Sequence, residues 1–176
     1  MVEDVLAFWF ADPARWWRKD PAFDAEIRTR FHGLHQALTR GEHQDWRTTA
    51  RGALAHVIVL DQFSRNMFRD SAGMFASDAQ AAAAARAAVD RGDDRALTDT
   101  ERMFLSMPLM HSENLADQDR CVALFQALGR PDELRYAEQH RDIIRRFGRF
   151  PHRNQLLERA STPEEREFLS QPGSSF

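Results

Sequence analysis

The amino-acid sequence predicts an all-helical protein, and three observations support this prediction. Apolar residues recur at the three- and four-residue spacing of helices in several segments. Residues that favour helix starts and helix ends recur between these segments. We find no alternating apolar and polar run bounded by a two-residue turn, which is the usual sign of a β-hairpin. The sequence therefore predicts about eight or nine helices, joined by short connections into stacked antiparallel hairpins.

The N-terminal third contains the first two predicted helices. Apolar residues follow helical spacing over residues 2–10, and Pro13 closes that segment. An apolar stripe predicts a second helix over residues 23–40, with Gly41 as the glycine that follows its C-terminus.

The remaining helix boundaries are predicted from caps and glycines. Three pairs fit the capping-box pattern, namely Ser77 with Gln80, Thr98 with Glu101, and Thr162 with Glu165. Helices are predicted over 79–89, 115–128 and 132–147, ending at Gly92, Gly129 and Gly148. Pro108 interrupts an apolar run and is expected to kink or end that helix before the polar residues that follow.

The segment 50–69 combines a buried pattern with charged residues. Its apolar residues surround the whole circumference of a helix, which is typical of a helix buried on all sides. The same stretch contains polar residues at Asp61, Gln62, Arg65, Asn66 and Arg69. Because buried charges must be paired or line a solvent-filled cavity, this segment is the first indication of a functional site.

Composition limits the class of protein. The chain has 176 residues, 43% of them hydrophobic, which favours a single folded domain over 1–176. The net charge of -3 gives no basic field for nucleic acid or an anionic membrane, so neither is expected as a partner. Cys121 is the only cysteine and is expected to be a buried apolar residue. No signal peptide is visible, and we expect a cytoplasmic location.

Asp61, Arg65 and Arg69 are four residues apart and are predicted to share one helical face. One interpretation is an internal Asp61–Arg65 ion pair that connects helices. The other is that these side chains line a ligand site.

His111 and Glu113 form the second polar segment. A histidine beside an acid could transfer protons or bind a metal, although two residues at this spacing are a weak metal signal. The alternative is a capping cluster at a helix boundary, and we predict no metal site.

The third segment contains Arg149, His152, Arg153 and Asn154. If Pro151 opens a helix, the last three of these residues fall in its first turn, where free N–H groups favour an anion such as carboxylate or phosphate. The alternative is that this corner binds an internal group, namely Asp61, Glu113 or a helix C-terminus.

The other searches for reactive sites find nothing. The sequence has no glycine-rich phosphate loop, no nucleophile elbow and no cysteine–histidine pairing with local context. We therefore predict no cofactor, and the sequence leaves open whether the protein is an enzyme.

Several motifs in order resemble domain-of-unknown-function family 924. The strongest span residues 5–10, 60–66, 109–113 and 147–154, and the resemblance covers about residues 3–170. It implies a bacterial protein with a fold similar to tetratricopeptide-repeat proteins, and it implies no activity. One departure is Glu158, where the family tends to have glycine.

The leading functional hypothesis is a polar pocket for a small anionic ligand, with hydrolysis by His111 or His152 as an unproven extension. The candidate site residues are Asp61, Arg65, Asn66, Arg69, His111, Glu113, Arg149, His152, Arg153 and Asn154. The rival hypothesis is a module that binds a protein or peptide, in which the polar motifs are purely structural. Exposed tryptophans among Trp9, Trp16, Trp17 and Trp46 would favour the rival.

Overall fold

The computed structural model describes residues 1–174, and every regular element in that range is helical. The α-helices are α1 Val2–Phe10, α2 Pro21–Thr39, α3 Ala50–Val57, α4 Ser64–Met67, α5 Asp78–Arg91, α6 Asp99–His111, α7 Leu115–Leu128, α8 Pro131–Phe147 and α9 Pro163–Leu169. A π-helical segment, Ile58–Phe63, joins α3 directly to α4. The all-helical prediction is confirmed. None of the helices within residues 1–174 has both the length and the apolar content needed to cross a membrane.

The chain divides into two compact units, an N-terminal unit Met1–Leu109 and a C-terminal unit Met110–Phe176. The boundary falls inside α6. The single domain expected from the sequence stays a prediction. The helix contacts within each unit are compatible with stacked hairpins.

The N-terminal unit is built around the continuous helical run 50–67. Helices α1 and α5 pack against α3, and α2 packs against the π-helical segment and α4. Leu54, Ile58 and Phe63 are completely buried in this run, which confirms the prediction of a helix enclosed on all sides. Each such side chain stabilises the fold by about 1.5–3 kcal/mol relative to exposure. The run ends at Met67, two residues earlier than expected.

The C-terminal unit is organised by the hairpin of α7 and α8. The two helices pack closely and are joined by two residues, and Gly129 takes a left-handed φ of +67° at the turn. After α8, the chain turns so that Phe150 is buried against Ile143 and Ile144. This apolar contact fixes the position of the polar residues that follow Phe150 in the sequence.

The end of α2 has the geometry that its glycine predicts. Gly41 has a φ of +83°, and its N–H donates to the Leu38 carbonyl at 2.9 Å. The next N–H, from Glu42, donates to the Ala37 carbonyl at 3.0 Å. These two bonds define a Schellman motif, so the predicted role of Gly41 is confirmed.

Two of the three predicted capping boxes are present, those at 98–101 and 162–165. The box predicted for Ser77 and Gln80 is wrong. The Ser77 hydroxyl makes no capping bond and instead donates to the Leu60 carbonyl at 2.6 Å. A buried carbonyl on a neighbouring helix has therefore replaced the local N–H as the partner of this serine.

Pro108 does not end α6, which continues through His111. Proline removes only one main-chain donor from a helix. The remaining hydrogen bonds carry α6 through to His111, the first residue of the polar segment before which the helix is expected to kink or end.

Candidate functional site

The ten candidate residues are divided between the two units. Asp61, Arg65, Asn66 and Arg69 belong to the N-terminal unit. His111, Glu113, Arg149, His152, Arg153 and Asn154 belong to the C-terminal unit. We call the first set the N-terminal motif and the second set the C-terminal motif.

The buried Asp61 carboxylate is paired with Arg65 in the N-terminal motif. Asp61 Oδ1 lies 3.0 Å from Arg65 Nη1, and Gln62 Nε2 donates to Asp61 Oδ2 at 2.6 Å. The same guanidinium donates to both carboxylate oxygens of Asp78 at 3.0 and 3.1 Å. The predicted Asp61–Arg65 pair is confirmed, whereas sequence reasoning did not identify Asp78 as the second acid.

Arg69 and Asn66 bind a different acid. Arg69 donates to Asp24 of α2 at 2.7 and 2.9 Å, and Asn66 Nδ2 donates to the same carboxylate at 2.8 Å. The prediction that Arg69 shares a helical face with Asp61 and Arg65 is wrong, because the helix ends at Met67. Asp24 therefore ties the end of this helical run to α2.

Asp61 lies in the π-helical segment, and two serine hydroxyls donate hydrogen bonds to a main-chain carbonyl of that segment. The Leu60 carbonyl accepts from Ser64 Oγ at 2.7 Å and from Ser77 Oγ at 2.6 Å. His35 Nε2 lies 2.8 Å from Ser64 Oγ. Because the Ser64 proton is used on Leu60, the imidazole donates to the serine oxygen. Burial lowers the pKa of His35 to about 4, so this histidine is neutral at pH 7. Turns of this kind occur often at functional sites.

In the C-terminal motif, Glu113 is bound by two groups from the segment after α8. Arg159 Nη1 and Nη2 donate to its two oxygens at 2.7 and 3.0 Å, and the Phe150 N–H donates at 2.8 Å. Burial opposes ionisation of this carboxyl, but these donors outweigh it and the pKa of Glu113 is lowered. The prediction that the corner after α8 binds Glu113 inside the protein is confirmed by the Phe150 N–H, whereas sequence reasoning missed Arg159.

Arg149 and Asn154 share the carboxylate of Glu165. Arg149 donates to both oxygens, at 2.6 and 2.8 Å, and Asn154 Nδ2 lies 3.3 Å from one of them. The hydrogen bond from Arg149 is the main cause that lowers the pKa of Glu165 to about 2. Asn154 Oδ1 accepts from Arg159 at 3.0 Å, so one network joins both acids of this motif. The sequence marked Glu165 only as a capping residue.

The segment that begins at Pro151 is a three-residue 3-10 turn, Pro151–Arg153, and not an α-helix. The prediction of an α-helix that opens at Pro151 is therefore wrong, and one short turn does not align enough peptide dipoles to attract an anion by itself. His152, Arg153 and Asn154 are positioned by side-chain contacts instead.

The end of α6 is held by side chains from the C-terminal unit. Arg153 Nη2 donates to the His111 carbonyl at 2.9 Å. Gln118 Nε2 donates to the carbonyls of Met110 and Ser112, both at 2.6 Å. The prediction that this corner binds a helix C-terminus is confirmed by Arg153. Its guanidinium donates to a carbonyl that the end of α6 leaves without a main-chain partner.

His140, His152 and Arg153 lie around the Phe150 ring and His111 lies next to His140, and we call these five residues the histidine cluster. The ring centroids lie 6.4 Å apart for His111 and His140, 5.6 Å for His140 and Phe150, and 5.6 Å for Phe150 and His152. The guanidinium carbon of Arg153 lies 4.5 Å from the Phe150 centroid. His140 was not among the predicted site residues, although its sequence position near an apolar stripe was a signal for burial.

Burial keeps two histidines of the cluster, His140 and His152, uncharged at pH 7, and we call these two the inner histidines. It lowers the pKa of His140 to about 3 and that of His152 to about 4. His140 Nδ1 lies 2.7 Å from the Tyr136 carbonyl and donates to it. In the neutral ring, Nε2 then carries a lone pair. Within residues 1–174, no group of three or more His, Cys, Asp or Glu side chains is arranged to hold a metal ion.

Gln118 carries a buried acceptor next to this cluster. The side chain is completely buried, and Oε1 has no hydrogen-bond partner among the described residues. The two bonds made by Nε2 fix the orientation of the amide, so Oε1 is identified as the acceptor. An unpaired buried acceptor costs about 1–3 kcal/mol, which a bound donor would recover.

Other features bear on the rival hypothesis. Trp9 and Trp46 are buried and Trp16 is half-buried, whereas Trp17 is 65% exposed. A cavity of about 440 Å³ lies in the N-terminal unit, and none of the ten candidate residues lines it. Cys121 is buried as expected, and burial raises the pKa of its thiol.

Comparisons with known proteins identify the family of this chain. Residues 5–173 match the family model described as "Bacterial protein of unknown function (DUF924)". A search of curated proteins returns no match. Among solved structures, the chain is similar to a protein of unknown function from Agrobacterium tumefaciens, ATU0120, with 45% identity, 96% of each chain covered and a TM-score of 0.91. The chain belongs to the DUF924 family of bacterial proteins.

Proposed function

We propose that this protein binds a small anionic ligand through the histidine cluster of its C-terminal unit. The ligand is a carboxylate or a phosphate ester that also carries a hydroxyl group. The observation that carries the proposal is the buried Gln118 Oε1, an acceptor beside the His111 main chain without a partner among the described residues.

The chemistry of the cluster supports an anion with a hydroxyl donor. Arg153 contributes a positive charge that is only 6% exposed, and buried charges attract anions more strongly than exposed ones. The rings of His140 and His152 are neutral, so they add polar surface to the site without adding charge. A hydroxyl group on the ligand would supply the hydrogen bond that Gln118 Oε1 lacks.

The rest of the C-terminal motif has a different role in this proposal. Arg149 and Glu113 are each engaged with an oppositely charged side chain, Glu165 and Arg159 respectively. We assign these pairs to holding the segment after α8 in place around the cluster. The proposed binding groups are therefore His111, His152 and Arg153, together with the newly identified Gln118 and His140.

A thermal-shift screen tests this proposal. The panel contains hydroxy acids, phosphate esters, nucleotides and divalent metals. A ligand at 100 times its Kd adds about 2.7 kcal/mol, which raises the Tm of a chain of this length by roughly 5–10 °C. We expect hydroxy acids or phosphate esters to raise the Tm, and metals alone to have no effect.

Two arginine variants locate the site. Arg153→Lys keeps the charge but loses the planar fork, so it should abolish most of the shift. Arg149→Lys is the matched control, which should lower the starting Tm and keep the shift. The proposal is wrong if no anion raises the Tm, or if both variants reduce the shift equally.

A further inference from the structure

Trp17 is an exposed indole held in a fixed orientation by other aromatic rings. Its ring stacks on the buried Phe104 at 5.9 Å between centroids and 11° between planes. Its other neighbour is Trp16, whose ring meets it edge-on at 6.3 Å. Trp16 is itself fixed, since its Nε1 donates to the Trp9 carbonyl at 2.7 Å. A large apolar ring that is already ordered loses little entropy when a partner binds it.

Basic side chains follow the exposed indole. Arg18 and Lys19 are both exposed, whereas the Asp20 carboxylate is used to cap α2 by accepting from two main-chain N–H groups. Lys19 lies 3.2 Å from Asp70, and both of these side chains are exposed. Such a pair contributes about 1 kcal/mol or less, so a carboxylate of a partner can replace Asp70.

The cavity of about 440 Å³ adjoins the same segment of chain through Arg15. Phe8 and Phe23 supply its apolar wall, and the guanidinium of Arg15 lies 4.0 Å over the Phe23 ring. Glu26 lies 3.7 Å from Arg15 and 3.4 Å from Arg30, so these charges offset one another. An apolar wall with matched charges at its edge suits an apolar side chain.

We propose that Trp17, Arg18, Lys19 and this cavity form a docking surface for a short acidic peptide segment of a partner protein. The acidic side chains of the segment bind Arg18 and Lys19. An apolar side chain of the segment packs on Trp17 or enters the cavity. This surface lies in the N-terminal unit and goes beyond the ligand site proposed for the C-terminal unit.

A peptide fits this surface better than a single-stranded nucleic acid. Nucleic acids also stack on exposed aromatic rings and bind basic residues. However, Arg18 and Lys19 are two basic side chains, and a chain of phosphates that extended from them over the cavity would meet the carboxylates of Asp4, Asp12 and Glu26. The net charge of -3 also disfavours a polyanion at long range, whereas a short segment needs only two basic contacts.

A peptide array tests the docking surface with the full chain as the probe. One array carries peptides with a central Leu, Phe or Trp flanked by Asp and Glu, and a second array replaces the acids with Lys. We expect binding to the acidic array only. In solution, Trp17→Ala and Arg18→Glu should each weaken the best peptide about tenfold or more.

A matched pair of variants controls for exposure alone. Tyr136 is an exposed aromatic of the C-terminal unit with the exposed Arg135 beside it, and the guanidinium carbon lies 6.0 Å from the ring. Tyr136→Ala and Arg135→Glu should leave peptide affinity unchanged. If Trp17→Ala lowers the Tm, its effect on affinity is set aside and the docking surface is tested by Arg18→Glu, because Arg18 is exposed.

Three results would overturn the inference. The first is equal binding to the acidic and basic arrays, or no binding to either. The second is an equal loss of affinity in the Tyr136→Ala and Trp17→Ala variants. The third is tighter binding of a thymidine oligonucleotide than of every peptide, which would identify a nucleic-acid surface. None of these results depends on the C-terminal ligand site, which the Arg153→Lys variant tests separately.

Discussion

The two units of this protein bury polar groups in different ways. In the N-terminal motif, buried or half-buried charges meet opposite charges, as Arg65 does with Asp61 and Asp78. The C-terminal unit also has ion pairs, but its histidine cluster contains two neutral imidazoles, those of His140 and His152, with a buried amide beside it. A matched ion pair uses its bonding capacity internally. A buried neutral acceptor such as Gln118 Oε1 keeps bonding capacity for another molecule.

This difference separates a structural role from a binding role. Ion pairs buried inside a protein are costly to break, and their loss destabilises the fold whether or not they bind a ligand. Loss of stability in the N-terminal motif therefore says nothing about ligand binding. The C-terminal cluster should instead show effects on binding that are separate from effects on stability.

The largest expected effect is in the N-terminal motif. Asp61→Asn removes a buried negative charge and should destabilise the protein by about 3–5 kcal/mol, because Arg65 loses one of its two acids. Urea unfolding measures the change. Lys19→Ala, which breaks an exposed ion pair, is the control and should cost about 1 kcal/mol or less. A cost for Asp61→Asn no larger than that of the control would contradict the structural role.

The pH dependence of stability tests whether the inner histidines are neutral. The pKa of His140 is about 3 in the folded chain and 6.5 for an unperturbed histidine. Between these values the unfolded chain binds a proton that the folded chain does not, so stability falls as the pH falls below 6.5. Each such histidine contributes a slope of about 1.4 kcal/mol per pH unit.

His140→Asn isolates one of these protons. The asparagine amide can replace Nδ1 as the donor to the Tyr136 carbonyl and cannot titrate. Urea unfolding at pH 5 to 7 gives the free energy of unfolding as a function of pH. The slope of this dependence should be smaller in the variant than in the wild type by about 1.4 kcal/mol per pH unit, the contribution of one proton. An unchanged slope would mean that His140 is charged in the folded protein.

A smaller effect is expected at the π-helical turn. Ser77→Ala removes one of the two hydroxyls on the Leu60 carbonyl and should cost about 1–2 kcal/mol. Urea unfolding measures it, and Thr29→Ala is the control because its hydroxyl is exposed and bonds within its own helix. Equal costs for the two variants would show that the turn does not depend on Ser77.

The smallest predicted effect is a gain in stability. Glu158 has a φ of +53°, a left-handed conformation that costs a residue with a side chain about 1 kcal/mol relative to glycine. Glu158→Gly should therefore raise the free energy of unfolding by about 0.5–1 kcal/mol. Glu158→Ala removes the same carboxylate without relieving the backbone, so it should give no gain. Equal stabilities for the two variants would contradict this explanation.

Much of the fold follows from local sequence patterns. Gly41, Gly92, Gly129 and Gly148 all adopt positive φ at helix ends, as their positions after apolar stripes predicted. The resemblance to the family suggests glycine at position 158, and Glu158 has the positive φ that glycine adopts easily. Local hydrogen-bonding rules determine these features, so they can be read without knowing the tertiary structure.

The partners of the polar residues could not be predicted in the same way. Arg149 binds Glu165, Glu113 binds Arg159, and Ser77 bonds to Leu60 instead of capping a helix. These pairings join residues 16, 46 and 17 positions apart in the chain. Sequence spacing within one helix carries no information on such contacts, since they depend on how the elements pack.

The most direct test of the ligand site is to follow four histidine rings, three of them buried and that of His152 half-buried, in proton–nitrogen NMR spectra while citrate or 3-phosphoglycerate is added. His140 and His152 belong to the C-terminal unit, whereas His35 and His56 belong to the N-terminal unit and serve as an internal control. We expect the ring signals of His140 and His152 to shift until the ligand saturates the site, while those of His35 and His56 stay unchanged. Unchanged signals for His140 and His152, or equal shifts in all four rings, would contradict the proposed ligand site.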